Sequence, residues 1–279
     1  MTDASFTEAP RDSCALGAVS ISKRYGRTLA LDDVTLTIGH GESIALIGAN
    51  GAGKSTLVRM FTGAAVPDDG SVLVDGKPLQ LSSVRLARRH GIGCVPQELN
   101  VARDLTIAEN VLSGGWMSRF GLVNTRSSIK LAERACQRVG LDVRMNTIAS
   151  RLSPAECRLV MIARGLVMSP TTLVLDEPTA ALAAAEADRL VAVLNQLRAE
   201  GQTLVYISHR MDEITRLCNS LAVLRDGKLL MRAAATADTV AEAVEIGIAS
   251  GGVTAQTPAN PVGNTPRSAT TKTPGLAGV

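Results

Sequence analysis

Aromatic residues are nearly missing from this chain: one Trp, two Tyr and three Phe among 279 residues. The core is left to Leu, Val, Ile and Ala. The stacking platforms with which proteins hold single-stranded nucleic acid are lacking, so no nucleic-acid partner is expected. Paired cysteines are missing too. Cys14, Cys94, Cys136, Cys157 and Cys218 are widely spaced, with no C-x-x-C pair. That argues against a disulfide framework or a zinc site and fits a reducing cytosol. The first residues carry Asp3, Glu8 and Asp12 and no apolar segment, so no secretory signal is expected. No uninterrupted apolar stretch reaches the ~18 residues of a membrane helix, so if the protein serves a membrane another chain does the spanning. The net charge of +3 is small. The densest basic cluster, Arg85, Arg88, Arg89 and His90, reads as a solvated helix face rather than a polyanion site.

What is present suits a globular domain with one sizeable core: 46% hydrophobic and 20% charged residues. Alternation in Val19-Ser20-Ile21 and from Val34 to Ile38 predicts strands with one covered face. Three short, wholly apolar runs, Ile44 to Ile47, Leu173 to Leu175 and Leu204 to Ile207, suit strands buried on both faces of a parallel sheet. Helical periods lie between them, at Lys54 to Thr62, at Ser128 to Val139 before Gly140, and at Ala185 to Glu200 before Gly201. Thr106-Ile107-Ala108-Glu109 and Ser153-Pro154-Ala155-Glu156 read as capping boxes that open two more helices. The fold class expected is therefore α/β. Residues 1–13 read as a loose leader and residues 14–250 as the folded unit, with a helical insertion over about 98–169. Residues 251–279 hold four Pro, six Thr, five Gly and no acid, the composition of a disordered tail.

Gly48-Ala49-Asn50-Gly51-Ala52-Gly53-Lys54-Ser55 matches G-x-x-x-x-G-K-[ST], between a predicted strand and a predicted helix. The glycines let successive backbone N–H groups face phosphate oxygens, and the helix that follows turns its positive end to them. Lys54 is placed to reach the terminal phosphates of a nucleotide, and Ser55 to hold Mg²⁺. The run Leu173-Val174-Leu175 ends in Asp176-Glu177: one carboxylate to hold Mg²⁺ through water, the other to polarise an attacking water. The run Leu204 to Ile207 ends in Ser208-His209. Three apolar runs thus carry phosphate-type chemistry at their carboxyl ends, where open parallel sheets bind ligands.

With these residues in view, 14–250 resembles the ATPases of ABC transporters. The resemblance implies a P-loop NTPase (RecA-like) core with an antiparallel β subdomain and a helical subdomain insertion. Gly48 to Ser55 is similar to the Walker A loop, with Thr56 following it. Leu173 to Glu177 is similar to Walker B and its catalytic glutamate, Glu177. Gln97 in Val95-Pro96-Gln97-Glu98 is similar to the Q-loop glutamine, a ligand of Mg²⁺ beside Ser55 and Asp176, and His209 to the switch histidine. Tyr25 sits where the family stacks an aromatic on adenine. Gly91 to Asn100, Leu105 to Asn110 and Tyr206 to Ile214 resemble in particular the importers of monosaccharides such as ribose, xylose and galactose.

That resemblance implies ATP and Mg²⁺, a second cassette in a homodimer or heterodimer, an integral membrane permease, and indirectly an extracytoplasmic solute-binding protein. It places the chain in the cytoplasm, on the inner face of the membrane. In such a pair each ATP lies between one chain's Walker A and the other's signature, whose Ser is Ser153 here. Three departures stand out. Leu152-Ser153-Pro154-Ala155-Glu156 replaces Leu-Ser-Gly-Gly-Gln, Ala183 stands where Asp or a polar residue follows Ala181-Leu182, and the family's sugar importers commonly fuse two cassettes. The alternative is a soluble ABC ATPase acting on nucleic acid or the ribosome. Only about a hundred residues separate Lys54 from Ser153, without the heptads of the chromosome-organising members. A P-loop GTPase is disfavoured by the lack of an Asn-Lys-x-Asp motif.

Overall fold

The computed structural model describes residues 13–113, 115, 118–119 and 122–248. Nearly all of the expected leader and the whole of the expected tail lie outside them. Along the chain come β1 (Cys14–Tyr25), β2 (Thr28–Gly39), β3 (Ser43–Ile47), α1 (Lys54–Phe61), β4 (Asp69–Val74), β5 (Lys77–Leu79), α2 (Val84–Arg89) and β6 (Ile92–Val95). Next are α3 (Ile107–Val111), β7 (Ser118–Arg119), β8 (Leu122–Val123), α4 (Thr125–Arg138) and α5 (Pro154–Leu166). Last come β9 (Thr172–Asp176), α6 (Ala184–Ala199), β10 (Thr203–Ile207), α7 (Met211–Leu217), β11 (Ser220–Arg225), β12 (Lys228–Ala234) and α8 (Ala237–Ile248).

The six-stranded sheet runs β12-β11-β3-β10-β9-β6. All its pairings are parallel except β11 with β12. The three apolar runs lie side by side in it. Ile44, Leu46, Val174, Val205 and Ile207 face one core together with Leu57, Met60 and Phe61 of α1. Ala45, Leu173, Leu175, Leu204 and Tyr206 face the other, filled by α5 and α6. Burial on both faces is what continuous apolar runs encode. The second sheet, β2-β1-β4-β5, is antiparallel. Of the alternation expected from Val34 to Ile38, burial follows it from Val34 to Leu36, but Thr37 is buried as well. Arg232 of β12 crosses over it and donates to the Thr37 hydroxyl at 3.3 Å.

Between β6 and β9 the described elements are α3, α4 and α5, a 3₁₀ turn at Ala149–Arg151, and the two-residue pair β7–β8. Both capping boxes form, at Thr106 with Glu109 and at Ser153 with Glu156. α4 begins three residues before the expected Ser128, because the Asn124 side chain accepts the Ser127 N–H at 3.0 Å. It ends at Gly140, whose φ of 67° is the left-handed closure expected there, and α6 likewise ends at Gly201, φ 88°. Of the basic cluster, Arg85, Arg89 and His90 are exposed on or just after α2; Arg88 is half-buried.

Candidate functional site

Four parallel strands bring their carboxyl ends to one edge: β3 feeds Gly48 to Ser55, β6 feeds Gln97, β9 ends at Asp176 before Glu177, and β10 runs into Ser208-His209. The cleft there has a volume of about 550 Å³ and is lined by Thr28 to Ala30, Asn50 to Thr56, Gln97, Asp176, Glu177, Ile207 and His209. A cavity of this size suits a nucleotide-sized ligand.

Glycine is required where the loop bends. Gly53, the N-cap of α1, has φ 105°, and a Cβ there would sit 2.7 Å from the Ala30 carbonyl oxygen and 2.9 Å from Leu31 Cδ2. No side chain caps α1. Its first N–H groups therefore point into the cleft with the helix dipole behind them, a ready anion cradle. Gly48 and Ala49 hold Lys54: its Nζ donates to the Gly48 carbonyl and, at 3.0 Å, to the Ala49 carbonyl. Burial pushes the Lys54 pKa down, while Glu177 and Asp176 pull it back up. Lys54 donates only to these neutral carbonyls and makes no ion pair among the described residues, which fits a site made for an anion.

The acids sit opposite. Burial, and then the neighbouring Glu177, raise the Asp176 pKa; Lys54 and His209 act against them. A carboxylate disfavoured as a bare anion is one that a cation would stabilise. The Glu177 carboxylate is gripped on both oxygens: Gln97 Nε2 donates to Oε2 at 2.8 Å, and His209 Nε2 lies 2.7 Å from Oε1. Its backbone is unusual, with φ 45° in the left-handed region. That conformation costs about 1–2 kcal/mol for a residue with a Cβ. It is pinned because the Glu177 N–H donates to Ile207 O at 2.9 Å and its carbonyl accepts from Ala180 N at 3.1 Å. Strain held in place at a cleft edge is characteristic of functional positions.

The structure therefore brings together Lys54, Ser55, Thr56, Gln97, Asp176, Glu177 and His209. It does not bring in two other expected residues. Tyr25 lies 43% exposed at the end of β1, with Lys23 Nζ 5.6 Å from its ring centroid, and does not line the cleft. Ser153 caps α5 and lines a different cavity, between α5 and α6. Sequence reasoning missed Glu213 of α7. Buried at 1% exposure, it accepts hydroxyls on Oε2 from Thr179 (2.8 Å), Tyr206 (2.6 Å) and Ser208 (3.0 Å). It thereby ties the segment after Glu177 to the one before His209. It also missed Arg158 of α5, which is buried on the helical face that carries Met161, Ile162 and Gly165.

A P-loop before a helix, with two acids across the cleft, defines a nucleotide-phosphate-binding α/β protein. The family described as ABC transporter matches residues 31–180, and the chain belongs to that family. It is similar to the ribose import ATP-binding protein RbsA of Corynebacterium glutamicum, 41% identical over 218 residues, covering 78% of this chain and 42% of that protein. It is also similar to the arabinose import ATP-binding protein AraG 1 of Burkholderia lata, 40% identical over 230 residues, 82% of this chain and 46% of that one. The chain thus spans less than half the length of these curated relatives. Among solved structures it resembles the dimeric post-hydrolysis state of the ATP-binding cassette MJ0796 bound to ADP and Pi: TM-score 0.68, 25% identity, 79% of this chain and 99% of that one. No helix among the described residues is long and apolar enough to cross a membrane.

Proposed function

We propose that the chain binds and hydrolyses MgATP as the energising subunit of an importer for a monosaccharide or related small polar solute. The observation that carries this reading is the convergence of Gln97 and His209 on the Glu177 carboxylate, across one cleft from Lys54 and Ser55. Gly48 to Ser55 and the start of α1 cradle the phosphates, Lys54 neutralises the terminal ones, and Thr56 lines the same wall. Ser55, Asp176 and Gln97 hold Mg²⁺, which when bound offsets phosphate charge. The Gln97 amide nitrogen serves Glu177 and leaves its carbonyl oxygen for the metal.

Glu177 orients water and takes its proton. His209, at the other carboxylate oxygen, keeps the group turned into the cleft. Tyr25 contacts adenine only if the β1–β2 turn closes over the cleft. Ser153 acts in trans, at the cleft of a second cassette. The similarity to ribose and arabinose import ATP-binding proteins supports a sugar cargo, a permease partner, an extracytoplasmic receptor and a position on the inner membrane face. Deleting the gene should abolish ATP-dependent uptake of one monosaccharide, restored by the wild-type chain and not by Lys54→Ala. Uptake that survives deletion for every monosaccharide tried would overturn the import assignment.

A further inference from the structure

Arg158 carries a charge that the hydrolytic site does not use. On α5 it shares a face with Met161, Ile162 and Gly165, at helical spacings of three, four and seven residues, so the helix itself drives the guanidinium inward. Arg158 is only 4% exposed. No carboxylate among the described residues pairs with it, and its Nε is buried without a hydrogen-bond partner. Burying a cation without a counter-charge is costly, and packing alone is better served by an apolar side chain of similar length.

What Arg158 does hold is backbone. One terminal nitrogen, Nη1, donates to the Pro96 carbonyl at 3.1 Å and to the Gln97 carbonyl at 3.0 Å. These residues directly follow β6, and the Gln97 amide in turn donates to Glu177 Oε2 at 2.8 Å. A continuous path of hydrogen bonds therefore runs from the first turns of α5 to the carboxylate proposed to activate water. Five residues before Arg158 on the same element stands Ser153, the α5 N-cap.

We propose that Arg158 is a positioning residue that clamps the Pro96–Gln97 backbone to α5, so that the position of α5 decides whether the Gln97 amide meets Glu177. The inference rests on the ATPase reading, and it adds a residue that touches neither nucleotide nor metal. A guanidinium is kept in the interior because its planar Nη1 presents two N–H groups in fixed directions to two successive carbonyls, where a lysine ammonium sits on a flexible stem and Met has no donor at all.

The test compares Arg158→Met, Arg158→Lys, Gln97→Ala and the double variant Arg158→Met/Gln97→Ala in the full chain, with Glu177→Gln as reference. Melting temperature, affinity for a fluorescent ATP analogue, turnover and the Mg²⁺ concentration for half-maximal turnover are read for each. Arg158→Met should lower turnover by roughly tenfold to a hundredfold, as expected when a catalytic group is misplaced. Its half-maximal Mg²⁺ should rise several-fold, while melting and affinity stay close to wild type. Arg158→Lys should recover part of the loss. The double variant should be no slower than Gln97→Ala, because the path is already cut. Unchanged turnover, additive effects in the double variant, or a turnover loss matched by equal losses in melting and affinity would each overturn the clamp. The Glu177→Gln reference separates this from the ATPase reading, which fails only if that variant turns over like wild type.

Discussion

Replacing Pro154 and Ala155 by glycine and Glu156 by glutamine should raise ATP turnover while lowering thermal stability. At the start of α5 the backbone donors are largely spent or missing. Pro154 has no N–H, Ser153 N–H goes to Glu156 Oε2 at 2.8 Å, and Glu156 N–H goes to Ser153 Oγ at 3.2 Å. Ala155 keeps a backbone N–H, but a carboxylate stands one residue away. If this helix end faces a second cassette's terminal phosphate, the variant returns one N–H and removes the negative charge. Glutamine still closes the capping box, so the helix start is kept. A hydrogen bond to a charged acceptor contributes about 1.5–3 kcal/mol, enough for roughly a tenfold gain in holding the phosphate. Against that, the two glycines added in the first turn cost about 1–2 kcal/mol together, or roughly 2–8 °C in melting temperature for a chain of this size. Steady-state ATPase of the assembled transporter, read beside a melting curve, separates the two effects. Turnover that stays level while the melting point drops would refute the reasoning and make Pro154, Ala155 and Glu156 tolerated variants.

Two further outcomes test the site's framework. Gly53→Ala forces a Cβ to within 2.7 Å of the Ala30 carbonyl at φ 105°. It should cost about 1–3 kcal/mol in calorimetry and weaken nucleotide binding in titration. Tyr206→Phe removes a fully buried hydroxyl that donates to Glu213 at 2.6 Å. A shift in denaturation midpoint equivalent to about 1.5–3 kcal/mol, at unchanged slope, is expected from loss of a charged-acceptor bond.

The sequence exposed those parts of the fold whose physics is local. Apolar runs announced β3, β9 and β10, because burial on both faces leaves no polar position. Ser153 and Thr106 announced helix starts, because a cap and its glutamate lie within four residues. β6 went unread because Gly93 and Cys94 interrupt its apolar character. Gly93 is there because α5 packs so closely that a Cβ would lie 2.6 Å from the Gly165 carbonyl oxygen. β11, β12, α7 and α8 were also not anticipated, since their short apolar patterns make sense only once β3 and α6 are in place for them to pack on. Within the site, the P-loop and Asp176-Glu177 were legible as motifs. The grip on Glu177 was not, because Gln97 and His209 come from strands that β9 alone brings together. Glu213 and Arg158 were hidden for a similar reason: a buried charge looks like a surface one until its distant partners are known, Thr179 34 residues from Glu213 and Pro96 and Gln97 62 and 61 from Arg158.

The central claim is that Glu177 activates water in a cleft whose phosphate binding is done by other residues. The most direct measurement is turnover and MgATP affinity of Glu177→Gln against wild type. Glutamine keeps the shape and leaves the P-loop, Lys54 and Asp176 untouched, but it cannot take a proton. The account predicts affinity within a few-fold of wild type and turnover reduced by roughly 10²–10⁴-fold, the usual worth of a general base. Hydrolysis at the wild-type rate with affinity intact would contradict it.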